Sequence, residues 1–409
     1  MSAPLITALE IGTTTVKVLM GELREDGGLM VAGLGESESR GVHKGEIIDF
    51  ELALNAVRRA LEEAEATAHR AIGESIYLAA SGGRAESRLH QAGIPILNEY
   101  EETGGEITAD DIDHALEVAR KVPLADDRIR LHTLQQTFEV DGRGGIVNPE
   151  GMLAQDLKVG MLLIHGRRST VENLKKLLQA VPVTCADAAF AGFCSALAVL
   201  TPEQKRAGAV VIDLGGGTTD FVVYNGGIVK LAGSIAVGGS HVTEDICSGL
   251  NINRRQAEAL KKESGNAVIN AMAGEQSFSV PAEGGFSGRV VRSVTLHTII
   301  NARMKETFRL IADQIEDNGL SGVLNAGVVL TGGGSALDGA VDLAQQVFNA
   351  PAQIGKIYDC VGVSTKKEGA RFAAVIGAVR YAADQQSAAP KEASRLRQWF
   401  SKLWGGHAS

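Results

Sequence analysis

GAVVIDLGGGTTDFVVYNGG, Gly208 to Gly227, is the stretch whose reading decides the fold. An apolar run ends in an acid, Asp213. A turn of Gly215, Gly216, Gly217 and Thr218 follows, and then a second run rich in β-branched and aromatic residues. This pattern predicts strand, tight turn, strand. About half the chain earlier, LITALEIGTTTVKVLMGEL, Leu5 to Leu23, repeats it. Glu10-Ile11-Gly12-Thr13-Thr14-Thr15 stands against Asp213-Leu214-Gly215-Gly216-Gly217-Thr218-Thr219. Glycines let backbone N–H groups approach and point at an anion, and threonine hydroxyls add donors. An acid at the strand end can hold Mg²⁺ through water, because Mg²⁺ keeps several of its waters. Two such hairpins facing each other would clamp the phosphates of a nucleotide.

Two further stretches extend the pattern. AGVVLTGGGSALDGA, Ala326 to Ala340, is an apolar strand ending in Thr331-Gly332-Gly333-Gly334, with Ser335 expected to cap a following helix. SIAVGGSHVTEDI, Ser234 to Ile246, is again strand, paired glycines and helix. A flat triglycine surface is where a nucleoside can lie close to backbone. A single double-glycine turn carries little information; four elements in this order carry a great deal.

Composition sets the limits. The chain has 409 residues, 44% of them hydrophobic, with 49 glycines and a formal net charge of −9. That length predicts two or more domains, and the glycines favour an α/β protein with tight strand–helix turns. The acidic balance argues against nucleic acid as a partner of the globular body. The four cysteines, Cys185, Cys194, Cys247 and Cys360, have no CxxC spacing, and the nine histidines form no HxxxH or HExxH cluster. Reduced thiols in a reducing compartment are expected. No signal peptide is evident at the N-terminus, and the longest apolar run, Ala188 to Leu200, is too short to span a bilayer. It reads as a buried helix.

These motifs resemble the actin-like ATPase superfamily, and further residues narrow the resemblance to the bacterial cell-division protein family FtsA. SRGVHKGEIIDFE (Ser39 to Glu51), FAGF (Phe190 to Phe193), VNPEG (Val147 to Gly151) and QAEALKK (Gln256 to Lys262) carry it, in order along nearly the whole chain. The resemblance implies an α/β, actin-like two-lobed fold with ribonuclease H-like cores, an inserted subdomain 1C and a C-terminal amphipathic helix. It places subdomain 1A at 1–83, 166–204 and 360–383, and subdomain 1C at 84–165. Subdomain 2A would be 205–250 and 312–359, and 2B 251–311. A linker at 384–393 and a membrane-targeting helix at 394–404 would follow. Within 1C, Thr108-Ala109-Asp110-Asp111 resembles a capping box opening a helix, and strands are expected at Leu131 to Val140 and Leu157 to Ile164.

The resemblance also implies a site for ATP and Mg²⁺. Gly12, Thr13 and Thr14 would meet phosphate from one side, and Gly215, Gly216, Gly217 and Thr218 from the other. Asp213, with Glu10 and Asp220, would sit near Mg²⁺, largely through water. Gly238, Gly239, Glu258, Lys261, Gly332, Gly333 and Gly334 would line the adenosine. By spacing alone, Glu258 and Lys261 are an i,i+3 pair on one helix face. Hydrolysis needs a group that orients water. Asp187 is the one acid in CADAAFAGFCSALAVL, and helix capping is its expected job. The reading is therefore a protein that binds ATP and hydrolyses it slowly or not at all. The alternative is a small-molecule, sugar-type kinase on the same scaffold, which would need a base for its substrate.

For partners, the resemblance implies the C-terminal peptide of the tubulin-like protein FtsZ on subdomain 2B. NARMKETF (Asn301 to Phe308) supplies Arg303 and Glu306 for that contact. It also implies self-assembly into filaments, recruitment of later membrane division proteins through 1C, and a place on the cytoplasmic face of the membrane at the septum. The tail SRLRQWFSKLW, Ser394 to Trp404, fits that place by its own pattern. At about 100° per residue, Leu396, Trp399, Phe400, Leu403 and Trp404 fall within an arc of roughly 140°. Arg395 and Lys402 lie outside it, and Arg397 sits at its edge, where its charge can snorkel. Both tryptophans of the chain are here, and tryptophan favours bilayer interfaces with anionic lipid attracting the basic face. Each buried apolar side chain contributes at most roughly 1.5–3 kcal/mol, so one tail binds reversibly and several bind firmly through effective concentration. Trp399→Glu is expected to abolish co-flotation with anionic vesicles while leaving the globular body folded.

Overall fold

In the computed structural model, residues 5–24, 26–82, 84–97, 104–269, 276–362 and 366–387 are described. The chain opens with three antiparallel strands, β1 (Leu5–Ile11), β2 (Thr15–Leu23) and β3 (Leu29–Glu38). A helix α1 (Phe50–Ala68) follows, and it leads into β4 (Ser75–Ala80). Asp49 starts α1 by accepting from the Leu52 N–H at 3.0 Å. The face Ala53, Leu54, Ala56, Val57, Ala60, Leu61 and Ala64 is buried, because these positions recur at helical spacing.

An inserted unit interrupts the lobe. It consists of β5 (Glu86–Pro95), α2 (Ala109–Arg120), β6 (Arg128–Val140) and β7 (Asp156–Arg167), with a short strand Arg143–Ile146. Thr108 caps α2 in a capping box: its hydroxyl accepts from the Asp111 N–H, and the Asp111 carboxylate accepts from the Thr108 N–H at 2.9 Å. The chain then returns to the first lobe as α3 (Arg168–Gln179), β8 (Thr184–Phe190) and α4 (Ala191–Val199). The apolar run expected to be one helix from Ala188 is thus strand up to Phe190 and helix only from Ala191. Strand pairing of Asp187 to Phe190 with β4 takes those residues first.

The second lobe repeats the plan. β9 (Ala209–Leu214), β10 (Thr219–Asn225) and β11 (Ile228–Ile235) form another antiparallel meander. Helices α5 (Gly239–Leu250), α6 (Arg254–Ser264) and α7 (Ser293–Asp317) separate it from the parallel strands β12 (Gly327–Thr331) and β13 (Ala352–Ile354). The expected boundary at 311 falls inside α7. Strand β14 (Cys360–Val361) pairs with β3, and α8 (Ala373–Ser387) ends the described residues. Asp384 to Ser387, expected to be linker, continue that helix. The rest of the expected linker and the whole helix expected at 394–404 lie outside the described residues.

The strand order β3-β2-β1-β4-β8 in one sheet matches β11-β10-β9-β12-β13 in the other. The duplication read from two hairpins is therefore a duplication of whole lobes. The inserted unit extends the second lobe's sheet: β5 meets β11 at Glu86 and Gly233, and the Ser234 N–H donates to Ala85 O at 2.9 Å. Gln136 on β6 reinforces the join, donating to Val229 O at 3.0 Å. A unit threaded through the first lobe is thus bonded to the second.

Between the lobes, α4 and α8 cross so closely that a Cβ on Gly377 would fall on the carbonyl of Cys194. Arg380 one turn on donates to Leu197 O at 2.9 Å and Ala198 O at 3.2 Å, satisfying the last carbonyls of α4. His132 of the inserted unit accepts the Phe190 N–H at 2.9 Å at the start of α4, and full burial pushes its pKa down to about 3, so the ring is neutral. Gly377→Val is expected to destabilise the protein by about 1–3 kcal/mol or more, read as a lower urea midpoint, because backbone cannot yield as a side chain can.

Candidate functional site

The two hairpins have the same turn. Gly12 N–H donates to Thr15 O at 3.0 Å, and Gly215 N–H donates to Thr218 O at 3.0 Å. A Cβ at Gly12 would stand 2.8 Å from Thr15 O, and one at Gly215 would stand 2.7 Å from Thr218 O. Each turn therefore requires glycine at its first position. At the next two positions the turns differ, and they meet tip to tip. A side chain at Gly216 would meet Thr14 Cγ2 at 2.5 Å, and one at Gly217 would meet the Thr13 hydroxyl. One hairpin carries Thr13 and Thr14; the other leaves room for them. The sequence comparison registers the glycines as turn residues, but only the fold shows that they face the threonines of the first copy.

The strand registers carry the electrostatics. Glu10 pairs with Lys17 across β1 and β2, and Asp213 pairs with Asp220 across β9 and β10. These are equivalent positions with opposite outcomes. Lys17 donates to Glu10 at 2.9 Å, so the first hairpin neutralises itself. The second sets two acids side by side. Burial, then the Glu10 charge, pushes Asp213 up to about 6. Burial again, with the Asp213 charge adding to it, pushes Asp220 up to about 7. Ser195 on α4 donates to Asp213, whereas Asp220 Oδ1 is buried with no hydrogen-bond partner. The sequence reading missed Ser195, whose signal is a single hydroxyl in the otherwise apolar helix AGFCSALAV.

A cation would relieve this. Two carboxylates that repel, one with an orphaned oxygen, fit Mg²⁺ at the second hairpin. Among the described residues no three His, Cys, Asp or Glu side chains converge to ligate a metal directly, which suits an ion held through its waters. Asp213 and Asp220 would hold that hydrated ion. Glu10 already accepts from Lys17 through Oε2, and its charge adds to that of the pair.

The other expected residues gather around the second hairpin. Gly239 N–H donates to Gly215 O at 2.9 Å and Ser240 N–H to Gly216 O at 2.7 Å, which fastens the start of α5 to the turn. Lys261 on α6 donates to Gly239 O at 3.1 Å, to the Thr243 hydroxyl at 2.8 Å and to Glu258 at 2.6 Å. Glu258 and Lys261 are therefore a brace between α6 and α5 rather than a solvated ion pair. Gly332 turns the chain at φ 78° against Asp213, and a Cβ on Gly334 would stand 2.8 Å from Leu214 Cβ. Gly333 faces open space, a flat backbone on which a base can lie. Ser335 does not cap an α-helix: Gly333–Ala336 is a 3₁₀ turn, the Ser335 hydroxyl donates to Gly332 O at 2.7 Å, and the next helix starts after Gly339.

Asp187 is not a helix cap either. It lies on β8, its Oδ2 accepts from the Tyr381 hydroxyl at 2.7 Å, and its Oδ1 accepts from the Ala188 N–H at 2.8 Å. Each oxygen thus already accepts one hydrogen bond from within the first lobe. Arg303 on α7 is also engaged: Nε donates to Asp245 Oδ2 at 2.6 Å, Nη2 to Asp245 Oδ1 at 3.0 Å, and Nη1 to Glu306 at 2.5 Å.

Comparison with known proteins places this arrangement. Residues 210–377 match the family model "Cell division protein FtsA", and residues 82–165 match "SHS2 domain inserted in FTSA". The cell division protein FtsA of Escherichia coli K12 is 31% identical over 384 residues, covering 92% of this chain and 90% of that protein. FtsA of Borreliella burgdorferi is 30% identical over 417 residues, covering 99% and 100%. Among solved structures, the PilM–PilN type IV pilus biogenesis complex aligns with a TM-score of 0.62 at 15% identity, covering 91% of this chain and 97% of that one. MreB 5 of Spiroplasma citri bound to AMPPNP aligns at 0.57 and 15% identity, covering 94% and 97%. The fold is thus actin-like, with an SHS2 unit inserted.

The acid pair has a pH signature. In the folded state Asp220 holds its proton up to about pH 7, against 3.8 as its ordinary value. Its contribution to stability is therefore full below pH 4 and is lost as pH rises toward 7. Asp220→Asn is expected to melt about 2–4 °C or more higher than the parent at pH 8 in EDTA, with the difference shrinking toward pH 5. Thermal unfolding across that range checks it.

Proposed function

The chain belongs to the FtsA family of cell-division proteins, and from that membership we propose that it is a nucleotide-controlled adaptor of the division apparatus. It binds ATP with Mg²⁺ between the two hairpins, with phosphates on Gly12, Thr13, Thr14 and Gly215 to Thr218, and the nucleoside toward Gly238, Gly239, Glu258, Lys261 and Gly332 to Gly334. The observation that carries this reading is the duplicated Gly-turn with its buried acid pair, which is built for phosphate and a hydrated cation. The cation supplies charge neutralisation when bound. The protein's own turns supply backbone N–H donors and the shape of the cradle.

Turnover is slow in this reading. The turn entering α4 offers Phe190, Ala191 and Gly192 and no acid or amide. The nearby Asp187 already accepts from the Ala188 N–H and the Tyr381 hydroxyl. A steady-state assay is expected to give a rate far below the roughly 1–100 s⁻¹ of kinases.

The adaptor role joins four contacts. The 394–404 segment attaches to anionic lipid on the cytoplasmic face. Residues 84–165 meet later membrane division proteins, and copies stack into filaments. The acidic C-terminal peptide of FtsZ docks on 251–311 at Arg303 and Glu306. Since Arg303 is held by Asp245 and Glu306, an incoming carboxylate must share it. Asp245→Ala is therefore expected to strengthen binding of the FtsZ peptide about two- to tenfold, and Arg303→Ala to abolish it, by fluorescence anisotropy. Unchanged affinity in both variants dismisses the Arg303 assignment.

A further inference from the structure

Between β3 and α1 the chain makes a small hairpin, Val42–His43 paired with Glu46–Ile47. Its two-residue tip is Lys44 and Gly45, with φ 50° and 76°. Both central residues are left-handed, as a type I′ turn requires, and such turns favour asparagine, aspartate or glycine at the first position. A lysine there is locally unfavourable, because its Cβ resists a positive φ. Locally, then, the sequence has chosen the wrong residue.

The tip lies against the phosphate hairpins. A Cβ on Gly217 would stand 3.0 Å from Lys44 Cα, and Gly45 N–H donates to the Thr13 hydroxyl at 3.3 Å. Gly82, beside Ser81, packs on the same tip, and the Ser81 hydroxyl lies 3.0 Å from that of Thr218. The hairpin therefore belongs to the first lobe by sequence and touches the second lobe's turn. Its lysine is the site's one uncommitted cation among the described residues: Lys17 is bonded to Glu10 and Lys261 to Glu258, while no ion-pair partner is found for Lys44.

Position along the cradle gives the charge its task. Contacts link the parts of the cradle: Lys261 bonds Gly239 O, Gly239 N–H bonds Gly215 O, and a side chain at Gly217, two residues on, would meet both Thr13 and Lys44. The far end of a phosphate chain laid along this path ends at Lys44. We propose that Lys44 binds the terminal phosphate of the nucleotide and so makes the closed contact between the lobes depend on a triphosphate. The Lys44 charge also acts across the lobes on His241 at the start of α5, helping burial to push that imidazole's pKa down. His241 already uses Nδ1 to accept the Gly238 N–H at 3.1 Å, and so stays a neutral spacer beside the phosphate path.

This inference rests on the nucleotide reading above, and the experiment separates the two. Lys44→Asn gives the turn its preferred residue and removes the charge; Lys44→Arg keeps the charge. Binding of ATP and ADP with Mg²⁺ is measured by competition against a fluorescent nucleotide, with thermal melting of each apo variant. The expected result is an ATP affinity about 10- to 100-fold weaker in Lys44→Asn. ADP affinity is unchanged, the melting temperature is equal or higher, and Lys44→Arg retains the ATP preference. Equal weakening for ATP and ADP, or no weakening, overturns the role of Lys44 alone. Failure of the parent protein to bind either nucleotide overturns the site itself, and this inference with it.

Discussion

Two carboxylates, Asp213 and Asp220, sit opposite one another on adjacent strands, Asp213 partly buried and Asp220 almost without access to water. Burial alone penalises each charge, and their proximity penalises both. A protein gains nothing in stability from that arrangement. It is tolerated because the surrounding lobe is well packed, with Val210, Ile212, Phe221 and Val223 fully buried around the pair. A cation there would offset both penalties, and the neighbouring groups hold the pair in place. Ser195 holds one acid in place from the first lobe, and Gly332 gives up its Cβ so that its backbone can approach Asp213.

Duplication made this site, and divergence gave its halves different work. Both lobes keep the same strand order and the same glycine-initiated turn. The first lobe spends its acid on Lys17; the second keeps two acids free of cations. The first turn carries threonines; the second carries glycines that receive them. A nucleotide between such turns would meet two surfaces of related shape, one self-neutralised and one acidic. The inserted unit adds a constraint of its own. It hangs from the first lobe but continues the second lobe's sheet through Glu86, Gly233 and Gln136. The two lobes are therefore connected by bonded strands as well as by the crossings of the chain.

Much of this was legible in the sequence because it is written in short-range patterns. Glycine, threonine and acid at fixed offsets announce the turns, and a capping box at Thr108 announces a helix. The helix run from Ala188 was misplaced because apolar residues of a buried strand and a buried helix look alike. That error carried Asp187 with it, from strand to imagined cap. Ser335 was misjudged because the Gly332 turn at positive φ redirects the chain into a 3₁₀ turn. Long-range partners were not legible at all. Nothing local tells that Arg303 is held by Asp245, 58 positions earlier in the chain, or that Lys44 touches a turn 173 positions later, at Gly217. Such pairings depend on how the lobes meet, and no periodicity encodes that.

The central claim is that the two hairpin turns together form a single phosphate site with a hydrated cation on the second. A crystal structure with Mg²⁺ and a non-hydrolysable ATP analogue tests it most directly. The account predicts phosphate oxygens on the N–H groups of both turns and a metal whose waters bond Asp213 and Asp220. A nucleotide bound to one turn alone, or a metal held away from those two acids, contradicts it.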